Sequence, residues 1–382
     1  MGIWTLGALC KDNTKYWLPS IHGNGVFFCD TDKSDEFSYI GAFEDYQEDN
    51  SWKIQKVISH NEKIYFFSKY AYEMWVLDEK TNKIKHYIYC DEEVNMISSI
   101  VNISNMVWIF PQNLKYPIKH MDLDSYDNDS LKFDIPSDIS DSAITKVVKN
   151  GNKIFFATRK ESNIYLVEMV CEKNEIKFST IPELVFINCL GVVGKNVYLL
   201  GVDKEQRTIL LKYDINKSEV VEKIHLSKVK LKLGLLMDYS LMVIFKNRIF
   251  FIPCMKQNII CYDIDTGTEE VLDYPEDFIC SDIVEVKFED IQVDGNLITL
   301  FPHSSDRILK LDMQTLNMSV IMTKYSDREN IKFLSNVFKR KYVIQESEPI
   351  CLQGLLQNVQ CYKEDVNVNK DNFGMRIYEF CK

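Results

Sequence analysis

Apolar runs a few residues long alternate along the chain with polar turns, and the alternation itself recurs. The clearest case, RIFFIPCMKQNIICYDIDTG at 248–267, sets two apolar runs around a polar loop and closes on an Asp-rich turn that contains glycine. The same arrangement appears at 106–125 and 297–315. Aligned on the end of the aromatic-rich run, the copies are YWLP ending at Pro19, YFFS at Ser68, WIFP at Pro111, FFAT at Thr158, YLLG at Gly201, FFIP at Pro253 and TLFP at Pro302. Seven copies stand 43 to 52 residues apart, a period that marks a repeat architecture.

Each copy has four parts. A short apolar run comes first, as in KVISH (56–60), KVVKN (146–150), LMVIF (241–245) and DIQVD (290–294). A tight turn follows, HNEK, NGNK, FKNR or VDGN, whose Asn and Gly suit the positive φ of two-residue hairpins. Then come the aromatic run, a polar loop, a third run such as EMWVLD or NIICYD, and a more polar fourth such as KIKHYIY or EVVEKIH. Third runs often end in Asp with Ser or Thr three places on: Asp78 and Thr81, Asp122 and Ser125, Asp263 and Thr266, Asp312 and Thr315. Those side chains cap backbone donors in a reversal of the chain.

Runs rich in Val, Ile, Phe and Tyr, separated by turn chemistry and lacking helical periodicity, predict antiparallel strands. One four-stranded meander cannot bury both its faces. Stacking meanders radially does so and leaves only short edges, so the reading is an all-β, seven-bladed β-propeller over residues 1–330, with six to eight blades allowed by the count. Phe66, Phe110, Phe156, Phe251 and Leu300 are expected in its core. The repeat, with its aromatic, Phe, Pro, polar loop, N-x-I/L-x-x-Y-D pattern, resembles kelch-type and related bacterial propeller repeats over roughly residues 3–325. It lacks the paired glycines of kelch blades and the Gly-His and Trp-Asp signatures of WD40.

Past Met322 the period weakens. Residues 331–347 read as a closing hairpin, or the start of an eighth blade. SEPICLQGLLQNVQCYK reads as a helix, with Ser347 at its cap, Pro349 in the first turn and an apolar side of Ile350, Leu352, Leu355, Leu356 and Val359. The expectation for 331–382 is a hairpin, a short helical tail and a terminal segment packed on the ring.

Charge narrows the partners. A formal net charge of −11 excludes a general affinity for nucleic acid or anionic membrane, although a local basic patch stays open. The start has neither a secretion leader nor an apolar stretch long enough to cross a bilayer, which sets the expectation of a cytoplasmic protein. Eleven scattered cysteines without a C-x-x-C pair read as buried reduced thiols, with no metal site and no cofactor.

Function in a propeller concentrates on the loops between second and third strands, which share a face with the connections between blades. Those loops supply the candidate ligand contacts Lys69, Tyr70, Tyr72, Lys115, Tyr116, Arg159, Lys204, Arg207, Lys256 and Arg307. Cations outnumber anions there, favouring a small anion or an acidic partner surface; the tyrosines suit stacking on a sugar or peptide, or burial under a neighbouring loop. His22 and His303 lie on such loops in the first and seventh copies, with Asp306 or Glu73 able to orient them as acid and base. No G-x-S-x-G, Walker A or dinucleotide fingerprint occurs. The leading reading is therefore a non-catalytic module for a partner protein, peptide or small anionic ligand on its channel face. The competing one is a lyase or glycan hydrolase at the channel mouth.

Overall fold

The computed structural model describes residues 10–333 apart from 13, 21–24, 44–53, 91–93, 95, 132–134, 137–138, 146, 162, 174, 230, 232–238, 254–256, 279–287, 303–306 and 330–331. Seven antiparallel meanders make up this region, each built from consecutive strands. Blade 1 comprises Cys10–Asp12, Lys15–Pro19, Gly25–Asp30 and Ser38–Ala42. Blades 2 to 7 occupy residues 54–88, 97–131, 143–180, 186–225, 239–272 and 288–322. Blade 4 divides its innermost strand into Ala143–Ile144 and Val148–Asn150. The chain is a seven-bladed β-propeller. Of the closing hairpin expected over 331–347, only Lys332 and Phe333 are described, and they are helical; the rest of it and the helix expected after it lie outside the described residues.

Burial follows strand position. Middle strands such as KIYFFS and RIFFIP are buried almost throughout, because both faces of the blade meet neighbours there. Fourth strands such as EIKFST and EVVEKIH alternate between exposed and half-buried, as the outer rim of a wheel requires. Apolar clusters fill the spaces between successive blades. Trp17, Phe43, Phe66 and Trp75 join blades 1 and 2, Trp108, Phe110, Ile154 and Phe156 join blades 3 and 4, and Phe250, Phe288 and Leu300 join blades 6 and 7. Phe66, Phe110, Phe156, Phe251 and Leu300 are all fully buried, as their place in the repeat requires. Truncating any of these phenylalanines to Ala should cost about 3–5 kcal/mol, read as a lowered melting temperature.

The turns do what their composition implies. The first residue of the hairpin between first and second strands has positive φ in blades 2 to 7: Asn61, Ser104, Gly151, Gly194, Lys246 and Gly295. At the turn between third and fourth strands, which lies at the same end, Asp78, Asp263 and Asp312 each accept the backbone N–H groups two and three residues on. An Asn from the first hairpin clamps the same Asp in blades 3, 6 and 7: Asn105 to Asp122, Asn247 to Asp263 and Asn296 to Asp312. Four residues past the Asp the chain enters the left-handed region, at Asn82, Tyr126, Ser218, Gly267 and Leu316. Tyr126 and Leu316 are costly choices there, offset by packing against the clusters beside them.

The repeat register needs one correction. Asp12 pairs with Lys15 as His60 pairs with Lys63 and Asp294 with Leu297, so Ser20, not Pro19, is the counterpart of Ser68 and Pro302. The proline shared with three other copies displaced the sequence alignment by one place.

Among the described residues no strand is exchanged to close the ring. The Lys11 N–H donates to Gln292 Oε1 at 2.8 Å, Gln292 Nε2 donates back to the Lys11 carbonyl, and Lys11 Nζ lies 3.2 Å from Asp294. Lys56 of blade 2 reaches past blade 1 to Asp290 of blade 7, 2.6 Å away. Beyond blade 7 the chain turns back over blade 1: the Phe37 N–H donates to the Lys324 carbonyl at 2.7 Å and the Tyr39 N–H to the Glu329 carboxylate at 2.9 Å.

Candidate binding face

In an antiparallel meander the loop between second and third strands and the connection to the next blade leave by the same end. Near that end the innermost strands carry a recurrent irregularity. The pairing skips Gln55, Ser98, Asn188, Ser240 and Glu289, each directly after an apolar residue: Ile54, Ile97, Ile187, Tyr239 and Phe288. In blade 4 the division of the strand places Thr145 at the same position, after Ile144. A bulge frees its residue from the ladder and re-aims its side chain. Here several of those side chains join blades. Gln55 Nε2 donates to the Ser98 carbonyl at 3.1 Å, Ser98 Oγ to the Thr145 carbonyl at 3.5 Å, and Asn188 Oδ1 accepts the Tyr239 N–H at 3.0 Å. The sequence carried a signal for this hoop, a polar residue one place into each first strand, but a reading built on hydrophobic runs passed over it.

The residues singled out in the loops take different environments. Tyr72 is buried and its hydroxyl donates to the Pro117 carbonyl, so it serves the interior. Tyr116 is half-buried against the cluster between blades 2 and 3, with Lys115 Nζ 4.9 Å above its ring. Tyr70 is exposed and Lys69 half-buried beside it. Arg159 lies over the Phe186 ring of the next blade at 5.1 Å. Lys204 is exposed, and Arg307 Nε donates to the Asp277 carbonyl. His22, Lys256, His303 and Asp306 lie outside the described residues. Glu73 is bound by His86 at 2.9 Å.

Arg207 belongs to a built network. Buried Asp203 accepts the backbone N–H groups of Glu205 and Arg207, holds the Arg207 guanidinium at 2.7 Å and takes Lys223 at 3.3 Å. Burial works against its charge, but Arg207 and Lys223 win and hold the carboxyl well below the usual range.

Counting only those loops misjudges the face. The connections between blades reach the same end, and in five of the six Asp and Glu outnumber Lys and Arg. The exception joins blades 5 and 6. There residues 226–238 carry Lys228, Lys230 and Lys232 against one acid, Asp238, directly after Lys223 and His225 of the outer strand of blade 5.

That sector also holds a groove of about 730 Å³, lined by Gln206, Arg207, Thr208, His225, Leu226, Ser227, Val229 and Leu231. Its wall is fixed from both sides. The Leu231 N–H donates to Thr208 Oγ1 at 3.1 Å, while the N–H groups of Ser227, Lys228 and Val229 converge on the Glu269 carboxylate of blade 6 at 2.6, 2.8 and 3.4 Å. Three successive amides gripping one carboxylate form an anion-binding nest, here filled by the chain itself. The apolar floor gives contact area and the cations around it give sign. Among the described residues no cluster of His, Cys, Asp and Glu could hold a metal ion, and no helix is long and apolar enough to cross a membrane.

No protein-family profile matches the chain, and no curated protein matches it by sequence. Solved structures do. The chain is similar to the Dos1 propeller, with a TM-score of 0.53 and 10% identity over 85% of both chains. It is also similar to the extracellular domain of BT4673 from B. thetaiotaomicron, with a TM-score of 0.52 and 13% identity over 84% of this chain. The chain spans only 38% of that domain's length. At such identities the likeness shows the propeller fold alone; membership of the kelch repeat family is not part of it.

Proposed function

We propose that this propeller is a non-catalytic binding module that takes an acidic partner segment or small anionic ligand on the face carrying the connections between blades, in the groove lined by blade 5 and its connection to blade 6. One observation carries the reading: the groove coincides with the one basic connection on an otherwise acidic set. An acidic segment is attracted to this sector and repelled by its neighbours, so the field selects orientation as well as sign. Asp203 and Glu205 together balance Arg207 and Lys223, which leaves Lys204 and Lys228 to supply the surplus charge. Leu231, half-buried where it lines the groove, offers apolar contact beside these cations, while Leu226 and Val229 are buried in the core between blades 5 and 6.

The fold's neighbours include an extracellular domain, whereas six free cysteines among the described residues, four of them buried, support a reducing compartment for this chain. Cytoplasmic placement stays part of the proposal on that ground.

The test is a titration with a hexaglutamate peptide at low and high salt. The double reversal Lys204→Glu with Lys228→Glu should weaken binding by about tenfold or more at low salt and flatten the salt dependence. Reversal of Lys83 and Lys85 on the outer strand of blade 2 should leave affinity unchanged. Equal binding by both variants would remove the groove from the account.

A further inference from the structure

The hoop of bulged residues is satisfied unevenly. Gln55 and Ser98 find carbonyls on the next blade, but Asn188 Nδ2 and Ser240 Oγ have no partner among the described residues, although the two residues are only 8% and 3% exposed. Asn188 cannot relieve this by turning its amide over, because its Oδ1 is engaged by the Tyr239 N–H. Nδ2 is thus fixed as a donor, and the N–H that holds Oδ1 belongs to the residue immediately before Ser240 in the next blade's bulge. Buried polar atoms left unpaired are rare and destabilising, and they mark places where something else completes the bonds.

We infer that the innermost strands of blades 5 and 6 form a carboxylate site, in which Asn188 Nδ2–H and Ser240 Oγ–H donate to the two oxygens of a carboxylate entering at the channel mouth. The inference rests on the proposed acidic ligand and names the group by which it is read. Both unpaired atoms can donate, and an amide N–H can do nothing else, so the complementary group is an acceptor with two adjacent oxygens. Charge suits the same answer: Arg159 of blade 4 lies over Phe186, two residues before Asn188, and supplies a cation at this end of the strands. The site belongs to the same pair of blades as the groove, since the connection lining the groove runs on to Tyr239 and Ser240.

Succinate and hexaglutamate, titrated against the full chain by calorimetry, test this. Asn188→Asp keeps an oxygen for the Tyr239 N–H but replaces the donor with a negative acceptor; Ser240→Ala removes the hydroxyl alone. Each should weaken succinate at least tenfold while the unliganded protein melts no lower than wild type after Ser240→Ala. Binding of succinate that is equal in wild type and both variants overturns the inference, as does a crystal structure in which only water completes the two groups at saturating succinate. Hexaglutamate separates the two levels. If it binds, responds to the Lys204 and Lys228 reversals and ignores both bulge variants, the groove stands and the carboxylate site falls. If neither probe binds, both fall.

Discussion

Truncating Phe333 to alanine should lower the stability of the whole ring by about 3–5 kcal/mol, although the residue lies beyond the last blade. Among the described residues the seam between blades 7 and 1 has no exchanged strand to lock it, and much of its hold comes from the segment after Met322. Lys324 bridges to Glu36, Glu329 accepts the Tyr39 N–H, and Phe333 is buried against Phe27 and Tyr39 with ring centroids 5.3 and 5.6 Å apart. Gly25 makes room for that ring: a Cβ there would stand 2.7 Å from Phe333. Gly25→Val should therefore destabilise through the same contact, while Gly25→Val combined with Phe333→Ala should cost less than the sum of the two. Denaturant midpoints for the three variants decide the matter. A Phe333→Ala protein with the wild-type midpoint would show that the seam is held elsewhere.

Acid should destabilise the propeller steeply. Asp78, Asp263 and Asp312 are held below the ordinary carboxylate range, first by the backbone N–H groups of Thr81, Thr266 and Thr315. Asp30 is lowered chiefly by Lys33, and Asp203 is lowered despite its burial. A carboxyl depressed in the folded state contributes stability that is complete above its unfolded pKa, near 4, and is lost as pH falls through the lower folded value. Because the turn recurs, small contributions add around the ring. Unfolding free energy should hold between pH 7 and 5 and fall progressively below about pH 4. Replacing Asp78, Asp263 and Asp312 together by Asn, which retains an acceptor but not the titration, should lower stability at pH 7 and shrink the acid slope. An acid limb unchanged by the triple substitution would count against the turns as its origin.

The blades were legible because each solves a local problem that the sequence states openly. A run such as RIFFIP can be buried on both sides only between two sheets, and turns such as NGNK dictate the reversal before it. Ring closure was not, since it depends on pairings between residues some 280 to 290 positions apart, Lys11 with Gln292 and Tyr39 with Glu329, that no local pattern announces. The face was half legible. Its loops follow from the meander, but the fate of each side chain depended on neighbours in other blades, as when Pro117 takes the Tyr72 hydroxyl and Phe186 receives Arg159. The basic connection between blades 5 and 6 was written in KIHLSKVKLKLG and went uncounted because only the loops inside blades were surveyed.

A site for acidic ligands on blades 5 and 6 should show itself when backbone amide resonances are followed while hexaglutamate is added at low salt. Shifts should concentrate at Gln206, Thr208, His225, Ser227 and Val229 and be reversed by salt. Shifts centred on the opposite turns around Asp78 and Asp263, or an unchanged spectrum at millimolar peptide, would contradict such a site.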